Sequence, residues 1–218
     1  MPNVRKIKRN PLTKNYFLVD TNFLVNKYIN PSYYDRLTNP LERIRNEKCR
    51  VEKCLSWWGE IDNQLRNNKA RVYISDVCIA EAFKVLAQKY YKEHIFRTPQ
   101  QYGYSKYRMS KEITTPADTL RAYSRRIKYH DVSTCRDIII SVDRFYEMFM
   151  IHQLRVQIAD LLVIATAKYL MDFYDIPKNS LHIITLDESL YAGIRYLSDL
   201  PKPFNPCIPS CEVNKIFI

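Results

Sequence analysis

Short apolar runs alternate along the chain with longer segments in which apolar residues recur every three or four positions. The runs at 16–19 (YFLV), 71–75 (RVYIS) and 181–185 (LHIIT) predict buried strands, because each is short and is bounded by polar or helical sequence. A further run at 136–142 (RDIIISV) is also predicted to be a strand. Strands that alternate with helices predict a parallel sheet that is covered on both faces.

The longer segments have the periodicity of helices that bury one face. Ile79, Phe83, Leu86 and Tyr90 recur at spacings of 4, 3 and 4 and share one face of a helix predicted at 77–91. The other predicted helices span about 22–29, 41–68, 143–155, 157–174 and 188–197. A Pro-rich loop follows, and the apolar tail at 212–218 is predicted to be strand-like.

Composition indicates one globular domain with a polyanionic partner. The 218 residues are 46% hydrophobic and 26% charged, which favours a single folded domain over 1–218 and excludes a largely disordered chain. Only 3 glycines are present, and no G-x-G-x-x-G or P-loop motif occurs, which excludes nucleotide sites of those kinds. The net charge of +11 indicates binding to nucleic acid or to an anionic membrane surface.

The hydropathy pattern argues against membrane insertion. The most apolar stretch, 158–167 (IADLLVIATA), is too short to span a bilayer and contains Asp160. The basic N-terminus is not followed by a long apolar run, so we expect no signal peptide. The expected location is therefore the reducing environment of the cytoplasm.

The six cysteines are expected to be thiols in that compartment. The pairs Cys49/Cys54 and Cys207/Cys211 have four and three intervening residues, which resembles the spacing of some zinc ligands. Small core or loop cysteines are the interpretation that we favour, and a shared zinc site is the alternative.

Residues 92–130 form an unusually basic segment that is rich in tyrosine. It contains nine basic residues, three acidic residues and five interleaved tyrosines. Arginine and lysine bind phosphates while tyrosine rings stack on bases, so the segment is predicted to bind single-stranded nucleic acid. A solvated face over packed tyrosines is the alternative. The candidate RNA-binding residues are Lys106, Arg108, Arg121, Arg125, Arg126, Tyr104 and Tyr107.

Two acidic residues follow predicted strands. Asp20 comes directly after 16–19, and Asp187 comes two residues after 181–185. Functional sites in parallel sheets lie beyond the carboxyl ends of the strands, which makes both residues candidates. Each is explained equally well as the N-cap of the helix that follows.

Asp160 and Glu81 lie inside predicted helices. Asp160 shares a helix face with the apolar Val163 and Ile164. A carboxylate on such a face must be paired, protonated or bound to a cation, and an ion pair with an arginine elsewhere is the structural alternative. Glu81 shares its face with Lys84, so a solvated ion pair is its default interpretation.

Four motifs in chain order together resemble the PIN domain nucleases, and among these the VapC-type toxin ribonucleases. They are Asp20-Thr21-Asn22 after a strand, Ile74-Ser75 followed by Glu81 on a helix, Asp160 within QIADLLVIATA, and Thr185-Leu186-Asp187 after a strand. The resemblance implies a three-layer α/β/α sandwich with a central, mainly parallel sheet. Extra, partly helical segments would then occupy about 31–70 and 92–141, because this chain is longer than the compact toxins.

The resemblance also implies a chemistry for the acidic residues. Asp20, Glu81, Asp160 and Asp187 would form a site for Mg²⁺ or Mn²⁺, with Asn22 and Thr185 as polar supports. Three aspartates would bind the ion, and Glu81 would bind a second ion or orient the attacking water. The expected activity is cleavage of single-stranded or loop RNA.

A toxin role with an antitoxin partner, and a homodimer, are further expectations from the resemblance. The alternative is a non-catalytic RNA-binding or scaffold protein with the same fold.

Overall fold

Five parallel strands form the central sheet of the protein. A computed structural model describes residues 14–35, 42–113, 129–209 and 211. The strand order is β3-β2-β1-β4-β5, so β1 lies between β2 and β4. The carboxyl ends of these three strands therefore meet at one edge of the sheet. The strands are β1 (Asn15–Val19), β2 (Ala70–Ser75), β3 (Tyr129–Val132), β4 (Leu181–Ile184) and β5 (Pro203–Phe204).

Seven α-helices connect these strands within the described residues. They are α1 (Thr21–Asn26), α2 (Glu42–Arg66), α3 (Asp76–Tyr91), α4 (Pro99–Ile113), α5 (Arg136–Ile151), α6 (Ile158–Tyr174) and α7 (Glu188–Arg195), with one 3₁₀ turn at Pro31–Tyr33. The predicted segment 31–70 thus contains α2, and 92–141 contains α4, β3 and the start of α5. None of the described helices is long and apolar enough to cross a membrane.

Helices cover both faces of the sheet. Successive side chains of a strand point to opposite faces, and every residue of β1 and of β4 is buried. Full burial of both strands requires layers on both sides, as is usual for parallel sheets. The predicted three-layer α/β/α sandwich is confirmed. In the register, Val19 lies beside Ile184 and Leu18 beside Tyr73, which aligns the ends of β1, β2 and β4.

A buried polar chain joins one face of the sheet to α2. The His182 Nε2 atom lies 3.2 Å from Oδ1 of Asn15, and the Asn15 side-chain amide donates to Oε1 of Gln64 at 2.7 Å. Burial lowers the pKa of His182 to about 4, so the ring is neutral near pH 7. His182 is therefore a neutral, hydrogen-bonded residue of the core, which agrees with its position within a predicted strand.

The prediction of a strand at 136–142 is wrong. These residues begin α5, in which Ile138, Phe145 and Phe149 are buried at helical spacings. The third strand of the chain is instead β3, inside the segment that was predicted to be an insertion. Strand β5 falls in the Pro-rich stretch that was predicted to be a loop, and the predicted tail at 212–218 lies outside the described residues.

Candidate active site

Asp20 lies at the carboxyl end of the central strand, where it is buried with 5% of its surface exposed. Its backbone amide donates to the carbonyl of Ile184 at 2.9 Å, and it serves as the N-cap of α1. The Oδ1 atom accepts from the amide of Thr21 at 2.6 Å, and Oδ2 accepts from the hydroxyl of Thr185 at 3.0 Å. Residues from β1, α1 and the end of β4 therefore fix the orientation of this carboxylate.

The electrostatic environment of Asp20 disfavours a bare negative charge. Burial, together with the nearby carboxylates of Asp160 and Glu81, raises the pKa of Asp20 to about 7 against the hydrogen bonds from Thr185 and Thr21, which lower it. Near neutral pH this carboxyl group is therefore only partly ionised. A cation at this position would remove the cost of ionising it.

Asp187 lies on the neighbouring strand end and is linked to Asp20 through Thr185. Asp187 is the N-cap of α7, and its Oδ1 atom accepts from the amide of Leu190 at 2.7 Å. The amide of Asp187 donates to the Thr185 hydroxyl at 3.0 Å, and that hydroxyl donates onward to Asp20. The helix-cap interpretation of Asp187 is thus correct, but the same residue also belongs to the acidic cluster.

Glu81 joins this cluster through a residue that the sequence interpretation gave no role. Its Oε2 atom accepts a 2.8 Å hydrogen bond from the hydroxyl of Thr21, and Glu81 is half-buried on α3. The default interpretation of Glu81 as one partner of a solvated pair therefore does not describe its environment. The only sequence signal for Thr21 was its place directly after Asp20.

Asp160 lies in the first turn of α6, where it completes a capping box. Its Oδ2 atom accepts from the amide of Gln157 at 3.1 Å. Burial, together with the charges of Asp187 and Glu81, raises the pKa of Asp160 to about 6 against the Gln157 hydrogen bond, which lowers it. Among the described residues, no lysine or arginine forms an ion pair with Asp160. The structural alternative for Asp160, an ion pair with an arginine, is therefore not found in this part of the chain.

The four carboxylates fit a divalent ion by their chemistry but do not form a closed cage. No three His, Cys, Asp or Glu side chains within the described ranges are grouped tightly enough to hold a metal ion. Mg²⁺ prefers carboxylate oxygens, keeps several waters and is often bound by only one or two carboxylates together with substrate phosphates. The open arrangement of these acids therefore suits an ion that keeps part of its water shell, and it does not suit an ion whose ligands are all protein atoms.

Asn22, a predicted support, does not contact the acids directly. Its side chain is exposed on α1 and makes no hydrogen bond to the four acids among the described residues. It lines a groove of about 780 Å³ that also includes Leu186, which directly precedes Asp187. Both basic and acidic side chains line this groove, and its Arg50 is paired with Glu47 at 3.0 Å.

A buried cysteine also adjoins the cluster. Burial raises the pKa of Cys78 to about 12, and the charges of Asp20 and Glu81 add to this effect. The thiol therefore stays protonated and is unsuited to act as a nucleophile. All six cysteines are free. The zinc alternative has no support in the described part of the chain, because its cysteines form no potential metal-binding group.

The predicted RNA-binding residues are only partly described. Tyr104, Lys106, Tyr107 and Arg108 are all exposed on α4. Arg121, Arg125 and Arg126 lie outside the described residues.

Comparison with known proteins yields similar folds but no sequence relatives. No family model and no curated protein matches the chain. A VapBC2 complex from Rickettsia felis, bound to a DNA fragment from its promoter, is 11% identical with a TM-score of 0.47 and covers 87% of this chain and 98% of that chain.

Two other similar structures are FitAB complexes. FitAB bound to an IR36 DNA fragment is 16% identical with a TM-score of 0.45, over 87% of this chain and 94% of that chain. FitAcB from Neisseria gonorrhoeae is 16% identical with a TM-score of 0.45, and the match covers 87% of this chain and 97% of that chain. Similarity at this level carries no argument about the activity of this chain.

Proposed function

We propose that this protein is a divalent-metal-dependent endoribonuclease whose active site lies at the carboxyl edge of the sheet. The observation that carries the proposal is Asp20. It is a buried carboxyl group whose pKa is raised to about 7, chiefly by burial and in smaller part by Asp160 and Glu81. A fold that places four carboxylates together needs a positive charge to offset them, and burial without one is costly.

Each acidic residue has a distinct position in this proposal. Asp20 is the deepest ligand, and the Thr185 hydroxyl fixes its orientation. Asp160 and Asp187 are half-buried and therefore nearer to a substrate at the surface. Glu81, oriented by Thr21, binds a second ion or orients the attacking water. A bound Mg²⁺ or Mn²⁺ supplies positive charge that offsets the charge of the scissile phosphate and acidifies water.

Charge supports RNA as the substrate. The chain carries a net charge of +11, which attracts a polyanion even though the site itself is acidic. Single-stranded or loop RNA is the proposed substrate, because its bases and phosphates are accessible outside a duplex.

The resemblance of the sequence motifs extends the proposal to a toxin of a toxin–antitoxin pair. In that role, expression of the wild-type chain arrests growth, and expression of Asp160→Asn does not. Coexpression with a small antitoxin partner restores growth, and the toxin role is refuted if the wild-type chain has no effect on growth.

The proposed activity is tested by incubating labelled single-stranded RNA and DNA with the protein in Mn²⁺, Mg²⁺ or EDTA. We expect cleavage of RNA that requires the metal and is lost in Asp20→Asn and Asp160→Asn. Asp172→Asn is the matched control, because Asp172 lies on the same helix as Asp160 but is exposed and paired with Lys168. Cleavage that persists in EDTA, or in both acidic variants, contradicts the proposal.

A non-catalytic RNA-binding protein of the same fold is the second candidate. It is favoured by one observation, namely that no three described side chains form a closed metal site. This candidate predicts RNA binding that depends on salt, without cleavage under any metal condition. The cleavage experiment therefore separates the two.

A further inference from the structure

One exposed face of α4 carries two tyrosines and two cationic residues. Tyr104, Tyr107, Arg108 and Lys111 are spaced by three, one and three residues, which places them on the same side of a helix. Tyr104 and Tyr107 are 61% and 62% exposed, so both rings are accessible to a ligand. We name these four residues the α4 surface.

The cations of the α4 surface lie beside its rings. The Arg108 guanidinium is 5.7 Å from the centre of the Tyr104 ring, and the Lys111 Nζ atom is 5.9 Å from that of Tyr107. These are cation–π distances, and they hold each side chain close to its neighbour one turn away. Flat apolar rings and positive charges therefore alternate along the same surface.

The opposite side of α4 is anchored in the core. Ser105, Met109 and Ile113 are buried. Glu112, the only acidic residue of α4, accepts hydrogen bonds from the hydroxyls of Tyr28 and Tyr129 at 3.1 Å each. The exposed tyrosines are therefore not needed to hold the helix in place.

The anchoring of Glu112 is also electrostatic. The Nζ atom of the buried Lys27 lies 3.4 Å from Oε2 of Glu112. No acidic side chain remains on the α4 surface to repel a phosphate. The surface is positively charged, and both of its rings are exposed.

Helix α3 connects this region to the acidic cluster. The Tyr102 ring stacks on Tyr90 at 4.7 Å with an interplanar angle of 5°, which docks the start of α4 on the end of α3. Tyr91 beside it is 67% exposed. Glu81 precedes Tyr91 by ten positions on α3, a rise of about 15 Å. The helix that carries Glu81 is therefore the one against which the start of α4 packs.

We propose that the α4 surface binds single-stranded RNA, with unpaired bases stacked on Tyr104 and Tyr107 and phosphates held by Arg108 and Lys111. The inference rests on the proposed function, because it assigns the substrate of that function a second binding surface. Exposed rings favour a single strand over a duplex, since duplex bases present no free face for stacking. An acidic protein partner would use the cations but would not need two exposed rings.

The test measures binding of a labelled 12-nucleotide single-stranded RNA in EDTA, so that binding is separated from metal-dependent cleavage. The double variant Tyr104→Ala/Tyr107→Ala is expected to weaken binding at least about 25-fold, which is fivefold for each lost stack. Tyr104→Phe/Tyr107→Phe keeps the rings and is expected to bind within about twofold of wild type. Duplex RNA of the same sequence is expected to bind equally to wild type and to the alanine variant.

Matched exposed tyrosines elsewhere provide the control. Tyr146→Ala/Tyr196→Ala removes rings that are 47% and 59% exposed on other elements, and binding is expected to stay unchanged. Arg108→Gln is expected to reduce the slope of log K against log salt by about 0.7, the value for one phosphate contact on a single strand. The tyrosine variants should leave that slope unchanged.

The proposal is overturned if Tyr104→Ala/Tyr107→Ala binds single-stranded RNA as wild type does, or if the control variant loses affinity equally. A different result would refute the nuclease proposal alone. Wild type would then bind RNA through the α4 surface but would not cleave it with Mn²⁺ or Mg²⁺.

Discussion

The hydroxyl of Thr185 donates a 3.0 Å hydrogen bond to Oδ2 of Asp20, so the residue after β4 orients the carboxylate after β1. The same hydroxyl accepts from the amide of Asp187 at 3.0 Å. One small side chain therefore couples two acids on adjacent strands. This arrangement depends on the parallel order of the sheet, which brings the ends of β1 and β4 together.

Removal of this hydroxyl is expected to weaken metal binding without unfolding the protein. Thr185→Val keeps the shape of the side chain but loses the donor to Asp20 and the acceptor for Asp187. Loss of a hydrogen bond to a ligand typically costs 10- to 100-fold in metal affinity or activity, and we expect a loss of that order. Titration with Mn²⁺ and the rate of RNA cleavage both measure the effect.

Thr166→Val is the matched control for Thr185→Val. Thr166 is also buried, but its hydroxyl donates only to the carbonyl of Leu162 within α6 at 2.7 Å. Metal affinity should be unchanged in this variant, while Thr185→Ser should restore most of the wild-type affinity. Equal effects of the two valine variants would refute a specific role for Thr185.

Asp20→Asn is expected to stabilise the protein at pH 8 while it abolishes metal binding. The native pKa of about 7 exceeds the usual 3.8, so the folded state binds the proton more tightly than the unfolded state. Stability contributed by this proton is present below about pH 4 and is lost as the pH rises to 7. Because asparagine cannot ionise, the variant gains at most about 4 kcal/mol relative to wild type at pH 8.

Urea unfolding of wild type and Asp20→Asn at pH 4, 6 and 8 checks this prediction. The difference in unfolding free energy between the two proteins isolates Asp20 from other titrating groups. It should shift in favour of the variant as the pH rises. A constant difference at all three pH values would show that Asp20 ionises freely in the folded state.

His182 is expected to produce the opposite pH dependence. Burial lowers its native pKa to about 4, so the unfolded state binds the proton more tightly between pH 4 and pH 6.5. The stability that depends on neutral His182 is therefore complete above pH 6.5 and decreases by about 3 kcal/mol as the pH falls to 4.

His182→Gln should flatten the part of the stability profile that is due to His182. Glutamine keeps a polar group near Asn15 but does not titrate. Unfolding free energies measured between pH 4 and pH 7 compare the two proteins. If their profiles remain parallel, His182 is not the titrating group.

Lys27 is expected to be a strong determinant of stability because it is a buried charge with two acidic partners. Its Nζ atom lies 3.0 Å from Asp62 and 3.4 Å from Glu112, with 6% of its side chain exposed. Lys27→Met removes the buried cation between these two carboxylates, and removal of one partner of a buried ion pair typically costs about 3–5 kcal/mol.

Lys48→Met is the matched control for Lys27→Met. Lys48 pairs with Asp35 and Glu52, but a third of its side chain is exposed, so its loss should cost much less stability than the loss of Lys27. Thermal or urea unfolding measures both variants. Similar costs for the two would contradict the importance assigned to the buried network.

Local sequence predicted the strands that carry the site but not the edges of the sheet. Strands β1, β2 and β4 are buried apolar runs, and each was recognisable from its own residues. Strand β3 has the sequence YHDV, in which only the first and last residues are buried, and its place is determined by pairing with β2. Strand β5 has two residues, and its pairing with β4 is not visible in the local pattern.

The site was predicted in outline because parallel strands bring their ends together. Asp20 and Asp187 follow from that rule, and the apolar face around Asp160 marked it as unusual. Glu81 had no local signal, since its hydrogen bond to Thr21 joins residues 60 positions apart. The run at 136–142 resembles a buried strand because it is continuously apolar at 138–140. Ile139 and Ile140 are in fact exposed residues of α5, and their apolar side chains hide the helical spacing of the buried residues.

Equilibrium binding of Mn²⁺ tests the central claim most directly, namely that the four acids form a divalent metal site. Wild type is expected to bind one or two Mn²⁺ ions per chain, and Asp20→Asn, Asp160→Asn and Asp187→Asn are each expected to lose most of that affinity. Asp172→Asn should bind as wild type does. The claim is contradicted if wild type binds no Mn²⁺, or if all three active-site variants keep the wild-type affinity.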